Sequence, residues 1–154
     1  DWSSDVCSSD LLIRKAISVI AANERVGNVT IVQELSDDLP EVKIDEQLLM
    51  QVILNIALNA IEAMSGEGVL TFQTSRVESG ADHFVSIEIR DTGQGINKEI
   101  VKNIFKPFFT TKERGVGLGL AICQKIVQNH GGLIQVKSIP GQGASFFIRL
   151  NERS

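Results

Sequence analysis

Apolar residues recur at helical spacing from Leu11 to about Val26, through Leu12, Ile13, Ala16, Ile17 and Ile20, with Asp10 placed as an N-cap. Residues 28 to 35, NVTIVQEL, alternate apolar and polar as a half-buried strand does, and EVKI after Pro40 reads as a short extended piece. Asp45 then caps a long helix, EQLLMQVILNIALNAIEAM, which Gly66 can end. Residues 68 to 77 and 83 to 91 predict two strands joined by a loose turn through ESGAD. Beyond Asp91 the strand pattern stops for about 25 residues, long for a loop in a compact domain, which predicts a functional lid with a short helix near Lys98 to Ile104. LGLAICQKIVQNH forms the next helix, Gly131 and Gly132 end it, and LIQVKSI and ASFFIRL are strands flanking the turn PGQG. These elements predict an α+β fold, with one layer of three main helices on one face of a mixed, mostly antiparallel sheet of about five strands.

A length of 154 residues suits one domain, and 43% hydrophobic with 22% charged residues is ordinary for a globular protein. No apolar run approaches the roughly 20 residues of a membrane span. A net charge of -4 argues against a general nucleic-acid surface, so any phosphate must be gripped locally. Cys7 and Cys123 lie far apart with no CxxC pattern, which fits a reducing, cytoplasmic setting. The opening DWSSDVCSSD has no helical or strand period, so residues 1–10 are expected to be disordered or non-native, 11–150 to form the domain and 151–154 a tail.

Between Leu48 and Met64 the polar exceptions Gln51, Asn55, Asn59 and Glu62 fall within about an 80° sector of the helix. Two readings stand for this line: a hydrogen-bonded or solvated polar seam, or a hard-cation site in which an asparagine carbonyl serves Mg²⁺. Nine of the 13 glycines fall between Gly93 and Gly143. DTGQGI, 91 to 96, closes a strand with a carboxylate and two alternate glycines. It is either a plain turn or a place where backbone approaches a flat ligand and Asp91 accepts from an exocyclic amine. GVGLGL, 115 to 120, precedes a helix whose free N–H groups favour phosphate, yet it matches neither GxGxxG nor a P-loop. Lys112 and Arg114 can add charge there or lie in a solvated loop. In FKPFFTTK, Phe105 and Phe108 belong either to the core or to a lid that docks when it closes.

Taken in order, NIALNAIEAM, DTGQGI, FKPFFTTK, GVGLGLAI and GQGASFFIRL closely resemble the asparagine, first glycine, phenylalanine, second glycine and final glycine boxes of the ATP-binding catalytic domain of sensor histidine kinases. The resemblance covers about residues 11 to 150. NAIEAM and PFFTTK look most like the nitrogen-regulatory and oxygen-sensing subgroup. It implies the Bergerat-type two-layer α/β sandwich with a long ATP lid, a fold shared with type II topoisomerases, Hsp90 chaperones and mismatch-repair ATPases. It implies ATP and Mg²⁺ as ligands, with Asn59 on the metal and Asn55 beside the phosphates one turn earlier. Asp91 would hold the adenine amino group, aided by Gly93, Gly95, Ile96 and, through water, Ser145. Phe108, Thr110, Thr111, Lys112, Gly115, Val116, Gly117, Leu118, Gly119 and Leu120 would line the lid side, with Lys112 neutralising γ-phosphate charge.

In two places the chain departs from what it resembles. Glu62 stands where many histidine kinases have a basic residue, and Asn55 stands where the hydrolytic relatives carry the glutamate that activates water. An amide cannot take that proton, so transfer to a better nucleophile is expected rather than hydrolysis. Neither His83, at a strand edge, nor His130, at a helix end, has the setting of a phosphoacceptor. The acceptor is expected on a separate dimerisation and histidine phosphotransfer domain, with a response regulator downstream. The expected organisation is a monomeric fragment of a homodimeric kinase; the fragment itself touches no membrane, although the full-length protein can be membrane-anchored. An ATPase clamp and a non-catalytic nucleotide sensor are the rival readings.

Overall fold

The computed structural model describes residues 6–37, 39–107 and 119–152. Its elements run α1 (Ser9–Ala21), a 3₁₀ turn (Glu24–Val26), β1 (Asn28–Glu34), α2 (Glu46–Ala63), β2 (Glu67–Ser79), β3 (Asp82–Asp91), α3 (Lys98–Asn103), α4 (Gly119–Asn129), β4 (Leu133–Ile139) and β5 (Gly143–Asn151). The strands form one sheet in the order β1-β2-β3-β5-β4. β1 pairs with β2 in parallel, and every other pairing is antiparallel. The expected mixed, mostly antiparallel α+β architecture is therefore the one observed.

Strand periodicity decides where the core lies. Leu70, Phe72 and Thr74 of β2, Val85, Ile87 and Ile89 of β3, and Phe146, Ile148 and Leu150 of β5 are buried on one face, where they join the apolar sides of α1, α2 and α4 in a single cluster. The alternate residues face outward. There Lys137 covers the ring of Phe147 at 5.4 Å and Arg149 that of Phe84 at 5.5 Å, so two aromatic rings are sheltered by cations rather than by helices.

Asp45 caps α2 as expected, its carboxylate accepting from Leu48 N at 3.1 Å. At the other end Ser65 and Gly66 take left-handed backbone, with φ of 54° and 84°, and turn the chain into β2. Asp45→Ala is expected to lower stability by about 1 kcal/mol, the usual cost of losing such a cap, measured as a fall in the urea midpoint with unchanged slope.

Three expectations are corrected, and a fourth, left open, is decided. First, α1 begins at Ser9 and ends at Ala21, short of Val26, because Asn23 accepts from Arg25 N at 2.9 Å and opens the 3₁₀ turn instead. Ser8 rather than Asp10 occupies the cap position, and its hydroxyl donates to Asp10 Oδ1 at 2.7 Å, leaving Asp10 in the first turn where the helix dipole favours it. Second, residues 6 to 10 belong to the fold: Cys7 is buried and bridged to Val42, which is also bridged to Glu152. The same bridge draws Asn151 and Glu152 out of the expected tail, and Arg76 Nε holds Glu152 at 2.6 Å. Third, the β2–β3 connection is tight, with Ser79 opposite Asp82 across Gly80 and Ala81 alone, since Gly80 takes φ 65°. Fourth, Phe105 packs edge-on against Phe146 at 6.3 Å and so sits on the core rather than in a lid. Phe108 lies outside the described residues.

Candidate functional site

Asp91 ends β3 and is 4% exposed. Its Oδ1 accepts from Gly93 N at 2.8 Å and from Ala144 N at 3.3 Å, so one carboxylate oxygen is committed to the backbone on both sides. Burial raises its pKa above the ordinary carboxylate value, and those two hydrogen bonds pull the other way without cancelling it. A buried carboxylate with one oxygen in use and, among the described residues, no ion-pair partner has an acceptor to offer a ligand.

The loop after Asp91 is held in place by close backbone approach. A Cβ on Gly93 would lie 2.8 Å from the carbonyl oxygen of Ala63, at the C-terminal end of α2. Gly95 takes φ 75°, and a Cβ there would collide with Ile139 O. Gln94 O accepts from Gly141 N at 2.6 Å, while Ser138 Oγ accepts from Ile96 N at 2.6 Å and donates to Gly143 O at 3.0 Å. Ser138 and Gly143 thus clamp the 92–96 loop onto the β4–β5 turn. Ser138 was not foreseen from the sequence, whereas Gly143 stood in the final glycine box without a stated role.

Gly143 is the tightest of these positions. It has φ 98°, and a Cβ would strike the backbone oxygen of Asp91. Gly143→Ala is expected to destabilise the domain by about 2 to 3 kcal/mol, from left-handed strain plus a clash against backbone that cannot move aside. Gly141→Ala is the control: its φ is 82° but nothing lies within 4 Å, so about 1 kcal/mol is expected from strain alone. Urea denaturation of both variants measures the difference.

Ser145 lines one cleft with Asp91 but does not share its side of the sheet. It stands opposite Arg90 on one side and Lys137 on the other, which places it on the outer face of the sheet. Its neighbour Ala144 meets Asp91 instead, through the main chain. Arg90 on that outer face pairs with Glu88 at 3.1 Å and Glu34 at 3.5 Å.

Along α2, Asn55 and Asn59 are half-buried, while Gln51 and Glu62 are exposed. Asn55 reaches α4: its Oδ1 lies 3.8 Å from where a Cβ on Gly119 would sit, and its side chain is hydrogen-bonded to the thiol of Cys123. Burial pushes that thiol up to about 11, with the Asn55 bond opposing, so Cys123 is a neutral packing partner and no nucleophile. Glu62 accepts from Arg25 at 3.2 Å. The polar line therefore runs from the Asp91 loop, which touches Ala63, to the first residue of α4 beside Asn55. At 1.5 Å per residue the span from Asn55 to Ala63 is about 12 Å. Ile96 is half-buried against the core, and Gly119 and Leu120 open α4. Phe108, Thr110, Thr111, Lys112, Gly115, Val116, Gly117 and Leu118 lie outside the described residues.

Among the described residues no group of three or more His, Cys, Asp or Glu side chains could cage a metal ion. The donor set on α2 is amide oxygen, which suits a hard cation that keeps its waters and takes its other ligands from phosphate. His130 is accounted for structurally, its Nδ1 lying 2.8 Å from Ile126 O at the end of α4. His83 is exposed beside Glu78.

A buried, half-committed carboxylate thus stands at one end of an amide-lined helix, with the start of a second helix at the other. The family described as histidine kinase-, DNA gyrase B- and HSP90-like ATPases matches residues 44–154. The chain belongs to this family. It is 41% identical over 90% of its length to the sensor histidine kinase ZraS of Escherichia coli O157:H7, of which it covers 30%. It thus spans less than a third of that relative. The catalytic domain of histidine kinase ThkA superposes with a TM-score of 0.83 at 29% identity, covering 96% of this chain and 94% of that one. Full-length ShkA in complex with AMPPNP gives 0.81 at 29% identity, covering 96% of this chain and 31% of that one. ThkA in complex with the response regulator protein TrrA gives 0.77 at 28% identity, covering 96% and 41%. Within the histidine kinase-, gyrase B- and HSP90-like ATPases, then, this chain is an ATP-binding catalytic domain of the sensor histidine kinase kind. Among the described residues no helix is long and apolar enough to cross a membrane.

Proposed function

We propose that this domain binds Mg²⁺-ATP and passes the γ-phosphoryl group to a histidine on a separate dimerisation domain, from which a response regulator takes it. The observation that carries the reading is Asp91, buried with one oxygen tied to Gly93 and Ala144 and the other left to accept from an adenine amino group. Asn59 would supply an oxygen ligand to the metal, whose charge, when it is bound, offsets that of the phosphates. Gly115, Gly117 and Gly119 would let backbone approach them, with Lys112, Thr110 and Thr111 alongside. AMPPNP in ShkA and the regulator complex of ThkA support the nucleotide and the partner class respectively.

Asn55 favours transfer over hydrolysis. Its amide is held by Cys123 and, having no basic lone pair, cannot deprotonate water. The cytoplasm, where ATP and response regulators are found, is the proposed setting.

The test is to mix the domain with Mg²⁺-ATP and a separately produced dimerisation domain bearing a histidine, and to look for acid-labile phosphate on the latter. Its appearance supports the proposal. Sustained phosphate release without an acceptor would instead make the protein a clamp-type ATPase, and nucleotide binding with neither outcome would make it a sensor.

A further inference from the structure

Ser138 lies one residue before the end of β4, half-buried and opposite Ala144 in the pairing with β5. The strand period puts it on the same side as Ile134 and Val136, which pack on the core. Its hydroxyl is used twice. Oγ accepts from Ile96 N at 2.6 Å and donates to Gly143 O at 3.0 Å. The carbonyl of Gly143 and the N–H of Ala144 belong to one planar peptide, and that N–H donates to Asp91 Oδ1 at 3.3 Å. A continuous chain therefore runs from the Ile96 amide through the serine hydroxyl and the 143–144 peptide to the buried carboxylate. Each bond in such a chain polarises the next. Asp91, Ser138, Gly143 and Ala144 also line one cleft at this end of the sheet.

The two bonds to Asp91 Oδ1 differ in what holds them. Gly93 N is two residues away in the chain, at 2.8 Å, and the local turn supplies that bond by itself. Ala144 N is 53 residues away, and its 3.3 Å makes this the weaker bond. N–H···O bonds usually end at about 3.2 Å, so a small rotation of the 143–144 peptide is enough to lose it. Glycine on one side of that peptide gives little torsional restraint. Ser138, bonded to its carbonyl, gives more. The last torsion of an aspartate is broad, so a carboxylate held by one hydrogen bond can turn, whereas one held by two presents its second oxygen in a fixed direction.

We infer that Ser138 is a positioning residue for recognition of the base: through the 143–144 peptide it fixes the direction in which Asp91 offers its second oxygen. This rests on the reading of Asp91 as the acceptor for an adenine amino group. Ser138 itself touches no ligand in this scheme; it acts on Asp91 from behind, across the β4–β5 pairing.

The test compares ATP with the triphosphate of purine riboside, which lacks the 6-amino group, by titration in magnesium buffer. The proteins are the wild type, Ser138→Ala, Ser138→Cys, Ser138→Thr and Asp45→Ala. The wild type should prefer ATP. Ser138→Ala should weaken ATP about tenfold and the analogue less than twofold, so that the preference falls by about tenfold. Ser138→Thr keeps the hydroxyl and should restore the preference to within about threefold of wild type. Ser138→Cys keeps the size of the side chain with a weaker donor and acceptor; it should fall between the two, and it carries the test if alanine prevents folding. Asp45→Ala loses stability at the far end of α2 and should keep the whole preference, which separates a loosened fold from a misdirected carboxylate. If the wild type prefers ATP and Ser138→Ala and Ser138→Cys keep that preference, weakening both ligands alike or neither, the inference is overturned and the reading of Asp91 stands. A wild type with no preference overturns the reading of Asp91 itself, and this inference with it.

Discussion

Asp91→Asn is expected to weaken ATP and ADP binding by about 100-fold or more while leaving the domain folded. An asparagine keeps an oxygen where Oδ1 accepts from Gly93 and Ala144, so the backbone on both sides of the site retains its anchor. The other oxygen becomes an NH₂ group. A donor then faces the donor of an adenine amine, and losing one buried hydrogen bond while confronting two donors costs about 3 kcal/mol. Calorimetry with adenosine as well as ATP separates this from a phosphate effect, since both should weaken alike.

The same substitution has a pH signature. The pKa of Asp91 is raised by burial, so the folded state holds that proton more tightly than the unfolded chain does. Wild-type stability therefore falls as pH rises from the ordinary carboxylate value through the raised one, and the cost of the buried charge is fully present above it. The asparagine variant carries no such cost. It should equal or exceed the wild type in urea resistance at neutral pH, with the difference shrinking as acidification protonates Asp91. A variant less stable than wild type at neutral pH would show that the second oxygen also serves the fold.

Asn59→Ala is expected to reduce phosphoryl transfer to a separate histidine domain by about 1,000-fold and to abolish the dependence of ATP binding on Mg²⁺. Adenosine binding should change by less than threefold. The substitution removes an oxygen ligand from a metal that stabilises charge developing on the transferred group, an effect of several kcal/mol when the ion is lost. The Asp91 pocket, by contrast, meets α2 at Ala63, one turn further on, and Asp91 itself is held by Gly93 and Ala144. Titrations with and without the metal, alongside the transfer assay, check both halves. Retained transfer would place the metal ligand elsewhere.

Legibility in the sequence followed the range of the interactions. The cap at Asp45, the long α2 and the strands around Asp91 are set by neighbours within four residues, and their patterns read directly. The parallel pairing of Asn28 with Glu67 and the register that seats Ala144 opposite Asp91 depend on residues far apart in sequence, which periodicity does not encode. Ser145 is instructive because its signal was present. Phe146, Ile148 and Leu150 must face the core, and the strand period of two then carries Ala144 inward and Ser145 outward. Ser138 left no such trace, because it acts through a partner 42 residues away, Ile96. The frayed look of the first ten residues arose because Cys7 is bridged to Val42, a residue far along the chain.

The parallel pairing of β1 with β2 governs how the molecule assembles. β2 and β3 close across Gly80 and Ala81 alone, a short-range contact, whereas the pairing of β1 with β2 closes a loop that contains the whole of α2. The helix bearing Asn55 and Asn59 is thus sewn at both ends to neighbouring strands. Hydrogen exchange in β1 should consequently track the loosening of α2, making that edge a reporter of when the nucleotide cradle opens.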